Sequence, residues 1–91
     1  MLFRSFIAED KLTYAVTAER SYVVDPSIAE LEQRYARAGF FRIHRATLVR
    51  LSAIAELSST TEGTRVRLGD GRTELPVARE RAKALKDRLG L

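Results

Sequence analysis

The residues of this chain best suited to chemistry fall in one stretch, FFRIHRATLVRL at positions 40–51, where Arg42, His44, Arg45, Thr47 and Arg50 surround a break in regular alternation. A guanidinium can make paired hydrogen bonds to a phosphate or to the O6 and N7 edge of guanine. A solvated basic face with a hydrogen-bonded strand histidine explains the same residues, and spacing alone favours that simpler reading. A second basic group, Arg79, Arg81, Lys83, Lys86 and Arg88, lies near the end of the chain. Lys86 and Arg88 suit the C-terminal turn of a helix, whose dipole favours positive charge. Arg79 and Arg81 would sit in the first turn, where positive charge is mildly unfavourable, so they call for another reason such as a nearby phosphate.

Enzymatic chemistry finds no footing. His44 is the sole imidazole, and none of Ser5, Ser21, Ser27, Ser52, Ser58 or Ser59 stands in a Gly-x-Ser-x-Gly context. Glu9 and Asp10 are adjacent and would point to opposite faces of a strand. The chain has no Cys, which excludes disulfides, thiol catalysis and thiolate zinc sites, and a single His leaves a transition-metal centre without ligands. No catalytic residue, metal, cofactor or small-molecule ligand is therefore expected. No apolar run reaches the ~18 residues of a membrane span, and the expected setting is cytoplasmic.

The elements that must position these side chains are short. Residues 12–17 and 21–24 read as strands rich in Thr, Tyr and Val, joined by a loop at 18–20. Asp25-Pro26-Ser27 opens a helix over about 26–38, with Pro26 suited to the first helical position and Ser27 with Glu30 forming a capping box. Ile28, Leu31, Tyr35 and Ala38 make its apolar stripe, and Gly39 stops it. In the strand at 40–44, Phe41 and Ile43 form a dry face and Arg42 and His44 a polar one. Residues 48–51 fit either a strand or a short helical turn. Strands follow at 54–58, 64–68 and 72–77, with a loop at 59–63 and a tight Gly69-Asp70-Gly71 turn. A helix over about 78–89 turns Ala78, Ala82, Leu85 and Leu89 inward. The expected class is mainly β with two short helices.

Ninety-one residues suffice for one domain. The formal net charge of +4 is unevenly spread. Positions 33–55 hold Arg34, Arg37, Arg42, Arg45 and Arg50 without an acid, whereas acids outnumber bases in positions 1–32. Such a balance fits a polyanionic partner.

The 40–51 segment resembles the core of the LytTR family, the DNA-binding domain of many bacterial response regulators, whose pattern is Phe-x-Arg-x-His-Arg-Ser-x-x-Val-Asn. Phe40 or Phe41, Arg42, His44, Arg45 and Val49 match it, and Ile54-x-x-Leu57 also fits. Further similarities are Ala8-Glu9-Asp10-Lys11, Glu30-Leu31-Glu32, Asp70-Gly71 and Leu75-Pro76-Val77-x-Arg79. Ala46, Arg50 and Ala78 depart from the family's usual Ser, Asn and Ser, and Glu80 stands where a second Arg often follows. This likeness outweighs the simpler reading of the basic residues.

The resemblance implies an antiparallel β fold whose loops, rather than a recognition helix, enter successive major grooves of double-stranded DNA. It implies a sequence-specific regulator of transcription, acting as two protomers on direct repeats and nucleoid-associated when bound. Carried over by position, the inserting groups are Lys11 with Thr13, Arg45 with Thr47, and Arg79. Charge and placement add Arg50 and Arg81. Arg45 and Arg79 suit base edges, while Lys11, Thr47, Arg50 and Arg81 suit phosphates. Arg42 and His44 are expected to brace the central loop, and His44 is also a candidate base reader. Residues 1–91 are expected to be one such domain, lacking the family's first strand or strands and an N-terminal sensory or receiver module. The alternative is a basic β-rich module for an acidic protein or RNA. RNA recognition relies on exposed aromatic rings, and most rings here fall at core-facing positions.

Overall fold

A computed structural model describes residues 2–91. Among the described residues, eight antiparallel strands form two sheets. Strands β1 (Ser5–Glu9), β2 (Leu12–Val16), β3 (Ser21–Val24), β4 (Phe40–His44) and β5 (Thr47–Arg50) build a five-stranded sheet in the order β3-β2-β1-β5-β4. Strands β6 (Ile54–Thr60), β7 (Gly63–Leu68) and β8 (Glu74–Val77) build a three-stranded one in sequence order. Helices α1 (Ile28–Tyr35) and α2 (Arg79–Leu89) complete the chain, and neither is long and apolar enough to cross a membrane.

The five-stranded sheet is covered on both sides. Phe6, Ala15, Phe40 and Leu48 meet Ile28 and Leu31 of α1 on one face. Phe41, Ile43 and Val49 meet Val66, Leu68, Leu75 and Val77 of the second sheet and Leu85 of α2 on the other. Phe40 is thus buried opposite Phe41, so β4 lacks the single dry face expected from its alternation. Burial on both sides also explains why β1 escapes the alternation test. Ser5 and Phe6 point to opposite faces, yet both are buried. β1 is the central strand, pairing Phe6 with Ala15 of β2 and with Leu48 of β5.

Local signals set the element ends. Ser27 Oγ accepts the Glu30 N–H at 3.1 Å while Glu30 Oε1 accepts the Ser27 N–H at 3.1 Å, completing the capping box. Pro26 precedes that cap instead of occupying the first helical position. The regular helix is shorter than 26–38. It tightens into a 3₁₀ turn at Ala36–Ala38 before Gly39, whose φ of 81° favours glycine. The run from Leu48 satisfies both readings, ending β5 at Arg50 and continuing as a 3₁₀ turn over Leu51–Ala53. Strands β6 and β7 extend further than expected and leave only Thr61 and Glu62 between them, whereas β8 begins later, at Glu74. Asp70 accounts for that late start. Its Oδ1 accepts the N–H groups of Arg72 and Thr73, each at 2.8 Å, and its Oδ2 accepts the Thr73 hydroxyl at 2.5 Å. These bonds hold the chain in a turn and keep the carboxyl far below the usual carboxylate range, with Arg4 contributing a smaller attraction.

Candidate nucleic-acid interface

Strand direction decides which connections share an end of the molecule. β1 runs into a turn at Asp10 and Lys11, closed by the pair Glu9 and Leu12. Both turn residues have positive φ, 52° and 68°, as a two-residue hairpin matched to strand twist requires. Lys11 projects there, exposed. β5 is antiparallel to β1, with Thr47 opposite Ile7, so the β4–β5 turn at Arg45 and Ala46 lies at the same end. A main-chain bond of 2.8 Å from Ala8 N–H to Ala46 O links the two turns. Lys11, Arg42, Arg45 and Ser27 line one open depression of about 520 Å³ between them.

The third element arrives through a bulge. The β4–β5 register shifts between Arg42 and His44, and at that point the Ile43 carbonyl accepts the Ala78 N–H at 2.7 Å. Ala78 is the N-cap of α2, and its methyl group offers no side-chain cap. Arg79 follows at the first helical position, exposed. Two chain steps on one side of this bond and one on the other keep the Cα atoms of Arg45 and Arg79 within roughly 18 Å. Arg79 thus follows a residue bonded near the turn end of β4, and it lines a depression with Thr60–Thr64 and Ala82 that is separate from the one Lys11 and Arg45 share.

The other expected contacts are placed differently. Thr13 and Thr47 are only 9% and 6% exposed, set in strands behind the turns. Thr13 nonetheless lines the depression that Lys11 and Arg45 share. Arg50 lies at the far end of β5, about 10 Å from Thr47 at ~3.3 Å per residue. Its Nε donates to the Phe3 carbonyl at 2.7 Å and its guanidinium stacks 4.6 Å from the Phe40 ring centroid. Arg81 likewise turns inward, donating from Nε to the Arg42 carbonyl at 2.9 Å and lying 4.8 Å from the Phe41 centroid. The positive charge that looked surplus in the first turn of α2 is a strut between that helix and β4. Both side chains, expected from charge as phosphate contacts, are thus engaged within the fold through Nε.

Arg42 and His44 brace the central turn, as expected. Arg42 donates from Nη2 to the Arg45 carbonyl at 2.7 Å and from Nη1 to Glu32 of α1 at 3.1 Å. His44 Nδ1 accepts the Ala46 N–H at 3.2 Å, which leaves Nε2 to carry the proton when the ring is neutral. Arg45 itself makes no side-chain hydrogen bond or ion pair among the described residues. Its backbone is pinned on both sides of the turn and its side chain is exposed.

A match to the LytTr DNA-binding domain model runs over residues 4–90. The chain belongs to the LytTr DNA-binding domain family. Two similar proteins are bacterial regulators by name. The heme-containing CO-sensing transcriptional regulator RcoM 2 of Paraburkholderia xenovorans (strain LB400) is 32% identical over 87 residues, which is 94% of this chain and 33% of that protein. The transcriptional regulatory protein YpdB of Escherichia coli (strain K12) is 33% identical over 85 residues, 92% of this chain and 35% of that protein. This LytTr chain thus spans about a third of the length of the curated relatives it matches. In fold it is similar to the LytTr DNA-binding domain of a Bacillus cereus response regulator, with a TM-score of 0.87, 24% identity, and coverage of 98% of this chain and 82% of that one.

Proposed function

We propose that this LytTr domain reads double-stranded DNA as part of a bacterial transcription regulator, acting on chromosomal DNA in the cytoplasm. The β1–β2 turn, the β4–β5 turn and the β8–α2 junction enter successive major grooves, and two protomers occupy a direct repeat. The observation that carries this reading is the exposure of Lys11 and Arg45 on adjoining turns, with exposed Arg79 following the Ala78 N–H that bonds the Ile43 carbonyl two residues before Arg45. Arg45 and Arg79 address base edges, where a bidentate guanidinium is worth about 1–3 kcal/mol against the wrong base. Lys11 holds a phosphate. His44 and Thr47 support the central turn from behind. In the intact regulator the domain is joined to a sensory or receiver module, in keeping with relatives about three times its length.

The ring placement disfavours RNA. Phe6 and Phe40 are buried in a ring cluster with half-buried Phe3 and with Tyr35 of α1, centroids 5.4–5.6 Å apart, and Phe41 is buried on the opposite face, which leaves these rings packed on one another instead of open to stack on bases. The test is a comparison of Arg45→Ala with the unaltered chain on a duplex selected from a random pool and on its scrambled counterpart. Loss confined to the selected duplex is the expected result. Equal loss on both makes Arg45 a phosphate contact, and no selection of any duplex by the unaltered chain overturns the reading.

A further inference from the structure

An acidic side chain beside a DNA-facing surface needs an explanation, because it repels the phosphates that its cationic neighbours attract. Glu32 is such a residue. It lies on α1 and its Oε1 receives Arg42 Nη1 at 3.1 Å, while the other arm of the same guanidinium reaches the Arg45 carbonyl at 2.7 Å. Arg42 also lines the depression that Lys11 and Arg45 share. The Glu32–Arg42 pair is open to solvent, its side chains 39% and 27% exposed, and an ion pair in that setting contributes little to folding. Its geometry matters more than its energy, since Glu32 determines where one arm of a planar fork must point.

We propose that Glu32 is a positioning residue for sequence discrimination. It holds Arg42 in an internal clamp, so that Arg42 fixes the backbone of Arg45 instead of swinging out to a phosphate. This rests on the DNA reading given above and names the residue that tunes it. Two consequences follow from charge and geometry together. Without the Glu32 carboxylate, Arg42 gains the freedom to neutralise a phosphate, which raises affinity for any sequence. The Arg45 carbonyl then loses its tether, and the guanidinium that reads the base edge is presented less uniformly.

The experiment measures binding to the selected duplex and its scrambled counterpart across a salt series, for the unaltered chain, Glu32→Gln, Arg42→Gln and Glu19→Gln. Glu19→Gln removes the same charge at the β2–β3 loop, at the opposite end of the sheet. Glu32→Gln is expected to lower the selected-to-scrambled ratio at least about fivefold, the low end of one bidentate base contact. Its log–log salt slope on scrambled DNA should steepen by ~0.9, one added phosphate neutralised. Arg42→Gln should lower the ratio without steepening the slope, and Glu19→Gln should leave the ratio unchanged. An unchanged ratio in Glu32→Gln, a fall matched by Glu19→Gln, or an unchanged slope each overturns the clamp. A chain that discriminates normally while Glu32→Gln does too leaves the DNA reading intact and removes only the clamp, whereas a chain with no preference removes both. Thermal melting of Glu32→Gln near that of the unaltered chain separates the effect from unfolding.

Discussion

Five arginines close in space or sequence meet different fates, and their partners determine which are held within the fold. Arg42 is held by Glu32 and the Arg45 carbonyl, Arg50 by Phe3 and Phe40, and Arg81 by Arg42 and Phe41. Arg45 and Arg79 are exposed. This division predicts opposite phenotypes. Arg81→Ala gives up a charge-assisted hydrogen bond and an aromatic contact, and should lose about 1–2 kcal/mol of stability. Arg45→Ala should stay within about 0.5 kcal/mol of the unaltered chain. Chemical denaturation reads both. An Arg81→Ala chain of full stability but weakened DNA binding would restore Arg81 as a phosphate contact. Asp70 supplies a pH test at the same scale. Its folded carboxyl is depressed by the Thr73 hydroxyl and by the N–H groups of Thr73 and Arg72. Its stabilisation is therefore present above the unfolded value of ~3.9 and is lost as pH falls toward the folded one. The stability gap between the unaltered chain and Asp70→Ala should be level above about pH 5 and should close on acidification below about pH 4. A gap that widens in acid would contradict this assignment.

Elements whose causes lie within a few residues were legible in the sequence, and those set by distant contacts were not. The Ser27–Glu30 capping box, the Gly39 stop and the Asp70 turn are written in neighbouring residues, and each is present. β1 was invisible because covering a strand on both faces removes the alternation by which strands are recognised. For the same reason β4 was expected to have one dry face, Phe41 and Ile43, although Phe40 is buried on the other side. Among the candidate contacts, Lys11, Arg45 and Arg79 were carried over by position from the family resemblance, and all three are exposed. The inward turns of Arg50 and Arg81 were not, since their partners lie 47 and 39 residues away in the chain. The departure at Ala78 has a local consequence that can be measured. It caps α2 in extended geometry, with φ −60° and ψ 141°, but has no side-chain acceptor. Ala78→Ser should add about 0.5–1 kcal/mol and raise the melting midpoint by roughly 2–8 °C. A lowered midpoint would show that the hydroxyl disturbs the bond to Ile43.

Charge on the whole molecule is sorted by the two-sheet architecture more than by the sequence. Arg65 and Arg67 lie on the outer face of the second sheet, where Glu56 and Glu74 pair with them at 3.2–3.8 Å. Arg4 pairs with Asp70 at the end opposite the Lys11 and Arg45 turns. Arg4, Arg42, Arg65 and Arg67 are thus paired with acids, whereas Lys11, Arg45 and Arg79 stand exposed on three separate connections without an ion pair among the described residues. Chemical-shift mapping of backbone amides as the selected duplex is added is the most direct measurement of that arrangement. The amides of Asp10, Lys11, Arg45, Ala46, Arg79 and Glu80 should move together, with those of Thr17, Ala18, Asp70 and Arg72 unmoved. Shifts concentrated in the second set would place the duplex at the wrong end of the molecule and contradict the three-turn interface.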